Sequence, residues 1–367
     1  MKILQIVKYY DPCQGGMESV VKNIVDGIID FSENINFTVY SNNHVRNFVN
    51  TKKVIGNVTV IKEKTPLYLK SQPLNLRYSS LKKIIDESDV INHHYPFPTM
   101  EIALLRNIKR FKKKKFIITW HANIKNSRWS WIEKYYNPLI KRLLDRADHI
   151  VVTSPQLYEA SDILQAYKDK IKVIPLSFDP KYQLDQSRKM PLKRNFRLLF
   201  VGKLRKYKGV KYLIDAIKDL ELNLTIVGNG EELEILKEQV ASLNIKDKVD
   251  FISSATDQEL SQIYEKSDLF VLPSINEAEA FGVVQLEAMA NGLPVINTYL
   301  DSGVPFVSLN DLTGITVKPN SSETIKSAIV KIIKSKELYE KFSSNAIERS
   351  SLFTRRKMSE SYLNLYK

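Results

Sequence analysis

The chain has 367 residues, 43% of them hydrophobic, 26% charged and 10% aromatic, and its 55 Lys and Arg against 41 Asp and Glu give a formal net charge of +14. That length suits two domains rather than one core, and the composition excludes disordered, collagen-like and low-complexity classes. No apolar run approaches the roughly 18 residues of a bilayer span, and a single cysteine, Cys13, excludes an internal disulfide framework or a cysteine metal cluster.

Residues 1–7, Met-Lys-Ile-Leu-Gln-Ile-Val, read as a first strand and not a signal peptide, because the apolar stretch is short and has no cleavage site. The expectation is a cytoplasmic protein. Further β-branched runs follow at 37–40, 58–61, 90–92, 116–119, 150–153 and 173–174, with helical periodicity at 19–31 and 137–145. Such alternation argues a parallel sheet covered on both faces. Residues 181–195 are polar, contain Pro191 and show no period, as an interdomain linker does. A second series then begins, with strands at 197–201, 224–227, 249–252, 269–272 and 294–297 and helices at 210–219, 231–243, 257–265 and 284–290. The fold class is therefore α/β, with two doubly wound domains in tandem. In such sheets ligands bind beyond the carboxyl ends of the strands.

Charge is unequally shared. Residues 1–200 carry 34 basic and 18 acidic side chains, a balance of +16, whereas residues 201–367 carry 21 and 23, a balance of −2. Residues 101–150 alone hold 13 basic against 4 acidic side chains. A basic domain beside a neutral one points to an anionic partner: nucleic acid, membrane or phosphate.

Several strand–helix junctions carry ligand-binding residue types. Gly15-Gly16 follows the first strand and precedes a helix, where glycine lets backbone approach a ligand and the helix N-terminus offers N–H groups to an anion; a plain tight turn fits equally well. Gly202-Lys203-Leu204-Arg205-Lys206-Tyr207-Lys208-Gly209 leaves the first strand of the second domain, and Lys203 and Lys208 could converge on a diphosphate. Gly228-Asn229-Gly230 lacks the third glycine of a dinucleotide fingerprint. The most specific stretch is 273–295, in which Pro273-Ser274 ends a strand, a loop presents Glu279, Phe281-Gly282 starts a helix, and Glu287 follows on its early turns. Two such carboxylates suit paired sugar hydroxyls.

The string Glu279-Ala-Phe-Gly…Glu287-Ala-Met-Ala-Asn-Gly-Leu-Pro-Val resembles the Glu-x7-Glu signature of retaining GT-B glycosyltransferases of family four. The resemblance spans essentially the whole chain, through Gly15-Gly16, Gly202-Lys203-Leu204, Lys208-Gly209, Gly228-Asn229-Gly230 and Thr313-Gly314. In the first half, His93-His94-Tyr95-Pro96-Phe97-Pro98, Thr119-Trp120-His121-Ala122-Asn123 and Thr153-Ser154-Pro155 are similar to bacterial O-antigen and capsule enzymes, mannosyltransferase-like, that extend undecaprenyl-diphosphate-linked sugars.

The resemblance implies a GT-B fold of two Rossmann-like domains facing across a cleft. The acceptor domain would span 1–185 plus a C-terminal helix at 352–367, and the nucleotide-sugar domain 190–351. It implies that Glu279 binds the donor-sugar hydroxyls and Glu287 the ribose. The amides at Phe281, Gly282, Val283 and Val284 would hold sugar and diphosphate, with Lys203 and Lys208 on the diphosphate and Gly15-Gly16 closing from the other domain. Gly202, Gly228 and Ile252 would line the donor site; His94, His121 and Asn123 would line the acceptor side, with His121 counted among the catalytic groups beside Glu279, Lys203 and Lys208. This chain departs from the family in having Lys203 for the commoner Arg, which loses a bidentate fork. It also has His121-Ala122-Asn123 for His-Ser-Asp, and Ser253-Ser254 for the usual glycine near the base.

The activity implied is retaining transfer of a hexose, with GDP-mannose the best candidate donor, to a lipid-linked saccharide. The alternatives are a UDP-sugar transferase of the same fold and a nucleotide-sugar 2-epimerase. No Asp-x-Asp occurs, so no metal or other cofactor is expected, and the lysines and helix N-termini would stabilise the leaving diphosphate. His93-His94 lacks a third ligand at zinc spacing. Nucleic acid is not an expected partner, because no recognition motif accompanies the basic residues. The basic segment near 105–140, with Arg106, Lys109, Arg110, residues 112–115, Arg128 and Lys134 interleaved with Trp129, Trp131, Tyr135 and Tyr136, is instead expected to attach peripherally to the anionic cytoplasmic face of the inner membrane.

Overall fold

A computed structural model describes residues 1–367 except 13–14, 47, 70–71, 76, 124–132, 179–187 and 192–194. Its first series of strands runs β1 (Lys2–Ile6), β2 (Asn36–Asn42), β3 (Thr51–Ile55), β4 (Val58–Glu63), a small hairpin of β5 (Leu67–Leu69) and β6 (Gln72–Leu74), β7 (Val90–Tyr95), β8 (Lys115–Trp120), β9 (His149–Val152) and β10 (Ile171–Val173). Eight of these form a sheet ordered β10-β9-β8-β7-β1-β2-β4-β3. All its pairs are parallel except β3 with β4. The second series comprises β11 (Phe196–Val201), β12 (Leu222–Val227), β13 (Val249–Ile252), β14 (Leu269–Leu272), β15 (Val295–Thr298) and β16 (Gly314–Val317), ordered β13-β12-β11-β14-β15-β16 and parallel throughout.

Runs such as Leu198-Leu199-Phe200 and Phe270-Val271-Leu272 are completely buried, as strands covered on both faces must be. In each sheet the chain first builds outward from a central strand and then returns to its other side, between β1 and β7 and between β11 and β14. That reversal opens a crevice at the carboxyl ends of the strands.

The chain divides into two units, residues 1–176 with 355–367, and residues 177–354. The second unit thus begins earlier than the polar segment 181–195 suggests. Arg188, within that segment, is fastened into it: its guanidinium donates to the carbonyls of Tyr264 (2.9 Å), Glu265 (2.6 Å), Ser267 (2.6 Å) and Asn291 (2.5 Å). These carbonyls lie where the helices Asp257–Lys266 and Val283–Ala290 end, and a cation there complements both helix dipoles. The C-terminal helix Arg355–Tyr366 belongs to the first unit. It packs across the helix Gly16–Ile29 at Gly27, where an added Cβ would fall 2.2 Å from Ser359 Oγ.

Among the strands of the described residues, β3, the β5–β6 hairpin and β16 go beyond the expected pattern. The residues of β3 are exposed along its whole length, so no alternation marks them, and β16 is short and begins at a glycine.

Candidate active site

In the second unit the loop after β11 interlocks with the loop after β12. Leu204 N–H donates to Asn229 O at 2.9 Å and Gly228 N–H to Ile252 O at 2.8 Å. A Cβ on Gly228 would lie 2.0 Å from the Gly202 carbonyl oxygen, so the backbones meet only because position 228 has no side chain. Beyond Gly202 a 3-10 turn, Lys206–Lys208, ends at Gly209 and turns Lys208 inward. Its stem passes under Gly202, and its ammonium pairs with Glu279 Oε2. Lys208 is 7% exposed and Glu279 8%; Lys203 on the same loop is exposed. The two lysines expected to act together therefore differ, one being a buried partner of the carboxylate and the other a solvated charge.

Glu279 is held from two further directions. Ser274, just past β14, donates its hydroxyl to Glu279 Oε2 at 3.0 Å, and the Glu279 amide donates to Asn276 O at 3.1 Å. Asn276 shapes the loop by accepting from the Ala278 amide at 3.0 Å. Gly282, at φ +73, then turns the chain into the helix Val283–Ala290, whose first-turn amides, Val283 and Val284 among them, have no acceptor within the helix. Phe281 is buried against Phe306 and Phe353. Sequence reading missed Gln285 and Asn297, both fully buried. Asn297 donates to Gln285 Oε1 at 2.8 Å, and Gln285 Nε2 donates to Phe281 O at 3.3 Å, fixing where the helix begins. A glutamine on a buried helix face was the available signal. Glu287, the second carboxylate of the signature, is half-buried and accepts from the phenol of buried Tyr264 at 2.7 Å.

In the first unit β7 and β8 carry polar residues on one face. Register pairs Gln5 with Asn92 and His94 with Thr119, and the period of two places Asn92, His94, Thr119 and His121 on that face. His121, 9% exposed at the carboxyl end of β8, shares a 2.8 Å contact between its Nε2 and His94 Nδ1. His94 is wholly buried, and its Nε2 lies 2.9 Å from Gln5 Oε1. It therefore supports His121 from behind rather than lining the acceptor side as expected. Burial pushes the His94 imidazole well below its usual range, as does the neighbouring His121, and burial lowers His121 to about 3. Both rings are neutral at physiological pH. His93 points to the opposite face, where its Nε2 meets Glu101 at 3.1 Å, so His93 and His94 cannot chelate one ion. Among the described residues no cluster of three or more His, Cys, Asp or Glu is arranged to hold a metal.

Asn123 accepts from the Trp120 indole at 2.9 Å and donates to Leu157 O at 3.2 Å. An aspartate could accept but not donate, which accounts for an amide at this position. At the first strand–helix junction Gly15 caps the helix Gly16–Ile29, and the carboxylate of Glu18 from the helix's own first turn lies over it, 2.3 Å from where a Cβ would be. An internal carboxylate thus lies at the helix N-terminus that was expected to face a phosphate.

The basic segment is partly committed to structure. Lys114 donates to the carbonyls of Asp86 (2.9 Å) and Ser88, Arg110 pairs with Asp86 at 2.6 Å, and Lys115 lies in β8. Tyr136 is a core residue stacked on Tyr95. Lys112 and Lys113 are exposed. Arg128, Trp129 and Trp131, like Cys13, lie outside the described residues, as do the side chains of Lys134 and Tyr135.

Two doubly wound units, each with a polar cluster at the carboxyl ends of its strands, form an architecture that sugar-transferring enzymes share with other enzymes. Residues 14–182 match the Glycosyltransferase Family 4 model and residues 183–349 the model for glycosyl transferases group 1. The chain is 28% identical to an O-antigen chain mannosyltransferase C of Escherichia coli over 100% of its own length and 98% of that protein's. It is 29% identical to a D-rhamnosyltransferase of Pseudomonas aeruginosa, over 90% of this chain and 86% of that one. Its fold superposes on Anabaena Alr3699/HepE, solved in complex with UDP, with a TM-score of 0.75 at 18% identity, covering 99% of both chains. The protein belongs to the GT-B glycosyltransferases of family four.

Proposed function

We propose that this glycosyltransferase moves a hexose from a nucleotide-diphosphate sugar to an undecaprenyl-diphosphate-linked saccharide in the assembly of a bacterial surface polysaccharide, O-antigen or capsule, with retention of configuration. The observation that carries this reading is the buried Lys208–Glu279 pair, with Ser274 behind it and the helix Val283–Ala290 beginning beside it. A cation and a row of helix amides meet the charge of a departing diphosphate, and a carboxylate held by a serine accepts from sugar hydroxyls. A retaining glycosidase needs two carboxylates about 5 Å apart, one of them a nucleophile. Here Glu279 is engaged by Lys208 and Ser274 and serves to position and stabilise, while the leaving phosphate takes the acceptor's proton at the same face. Lys208 and the amides supply the charge stabilisation with no metal.

GDP-mannose is the leading donor, supported by the mannosyltransferase relative; a UDP-sugar is the second reading, supported by the UDP-bound structural neighbour. Incubating the protein with GDP-mannose or a panel of UDP-sugars, a synthetic polyprenyl-diphosphate disaccharide and excess EDTA tests donor and metal together. The expected product is a trisaccharide whose new linkage retains the donor's anomeric configuration by NMR. An inverted linkage, or transfer that disappears with EDTA, would overturn the mechanism.

The acceptor's lipid implies work at an anionic membrane surface. No helix among the described residues is long and apolar enough to cross a membrane. The stretch that leads into and forms β3 exposes the apolar side chains of Val45, Phe48, Val49, Val54 and Ile55 and the basic ones of Arg46, Lys52 and Lys53. This combination supports peripheral attachment through that stretch, with Lys112 and Lys113 a second contribution. Co-sedimentation with vesicles containing phosphatidylglycerol should fall for Phe48→Asp and less for charge reversal at Lys112 and Lys113; equal binding by all three proteins would remove the proposal.

A further inference from the structure

The first unit contains a continuous hydrogen-bonded chain that runs from the C-terminal helix to His121. Thr119 Oγ1 donates to Asn92 Oδ1 at 2.9 Å, which leaves the Asn92 amide nitrogen to donate to Gln5 Oε1 at 3.1 Å and to the Tyr366 hydroxyl at 3.0 Å. Gln5 Nε2 donates to the same hydroxyl at 2.8 Å, so Gln5 Oε1 is the acceptor that faces His94 Nε2 at 2.9 Å. Every member except His121 is essentially inaccessible, and water cannot substitute for a missing partner.

The polarity propagates. With Gln5 Oε1 accepting, His94 carries its proton on Nε2 and has a bare Nδ1. That Nδ1 lies 2.8 Å from His121 Nε2, so His121 must donate there, and its own Nδ1 is the unprotonated nitrogen. His121 Nδ1 makes no hydrogen bond among the described residues, and the side chain keeps part of its surface open. We infer that His94, fixed by Gln5, Asn92 and Tyr366, is a positioning residue that sets the tautomer of His121, so that His121 presents an acceptor nitrogen to a hydroxyl of the bound saccharide. Neither ring gains a proton near neutrality, so His121 acts as a neutral acceptor rather than a cation. The inference rests on the glycosyltransferase reading only for the identity of that hydroxyl.

Long-range proton–nitrogen NMR on the full chain labelled with 15N-histidine tests the tautomer without any substrate. The wild type should show His121 protonated at Nε2 and bare at Nδ1. His94→Asn puts an amide oxygen where Nδ1 stood and should keep that tautomer. His94→Leu removes the acceptor and should give a mixture, with kcat for transfer lowered about tenfold and donor KM unchanged. If His94→Leu does not fold, Tyr366→Phe, which keeps the ring, should shift the His121 population in the same direction. A wild-type His121 protonated at Nδ1, or a His121 tautomer indifferent to every one of these changes, would overturn the inference. Absence of transfer by the wild type with every sugar nucleotide would instead count against the proposed function and leave the tautomer result standing.

Discussion

The two polar clusters solve the same problem, keeping hydrogen-bonding groups ready in a dry interior, by opposite means. In the second unit the cluster is charged, with one ammonium and one carboxylate paired in burial and braced by Ser274. In the first unit it is neutral, with two imidazoles, two amides and a phenol passing donors and acceptors along a chain. A buried ion pair is costly to half-remove because the remaining charge has no solvent, whereas a neutral network loses only single hydrogen bonds. The difference suits the tasks proposed for them. A leaving diphosphate calls for charge, and an acceptor hydroxyl for an oriented lone pair.

Breaking the charged cluster should have the largest effects. Lys208→Met leaves Glu279 unpaired and should cost about 3–5 kcal/mol of stability in the second unit, measured by urea unfolding. The double variant Lys208→Met with Glu279→Leu should recover most of that stability and none of the activity; a double variant as unstable as the single would show that the pair is not the source. Glu279→Gln keeps the shape and removes the charge. Its transfer rate should fall by about 10²–10³, on the order of 3–4 kcal/mol, and near-full activity would mean that Glu279 does not stabilise the reaction.

In the neutral cluster the expected losses are smaller. Tyr366→Phe should destabilise the first unit by about 1–3 kcal/mol through two stranded amide donors, read from the same unfolding curves. Acid should separate the clusters further. His94 and His121 are lowered in the folded protein, so the unfolded chain binds more protons as pH falls. Stability is therefore intact above the ordinary histidine range near 6.5 and declines as pH drops toward about 3. Melting temperatures taken between pH 7.5 and 5 should fall less steeply for His94→Asn than for the wild type. The smallest effect belongs to Lys203→Ala, an exposed charge, which should raise donor KM by about fivefold, roughly 1 kcal/mol, with the difference shrinking in high salt.

The charged cluster was largely legible in the sequence because its residues lie in two short local motifs. Gly202 to Gly209 and Ser274 to Glu287 each announce a strand end, a turn and a helix start, and the resemblance supplied their roles. What the motifs could not show was that Lys208 and Lys203 diverge. That follows from Gly209 turning the loop so that only Lys208 falls beneath Gly202. The neutral cluster was half legible. Asn92, His94 and Thr119 are polar residues in strands that burial should make apolar, which marks the region but assigns no partners. Gln5 and Tyr366 stand 361 positions apart, and no local pattern connects them. The basic segment was legible only in part for a similar reason, since a lysine that satisfies helix-end carbonyls, as Lys114 does, looks in sequence like one that faces solvent.

The sequence by itself determined the alternation of strand and helix, the two-unit plan, the glycines at the close backbone approaches and the two signature carboxylates. These are written in nearest-neighbour stereochemistry and hydrophobic period, which act over a few residues. Only the tertiary structure decided which lysine pairs with Glu279, that Arg188 closes two helices, and that the last helix reaches the first strand to orient a histidine. Each of these depends on which distant groups share a desolvated space, and in that space every buried donor must find an acceptor.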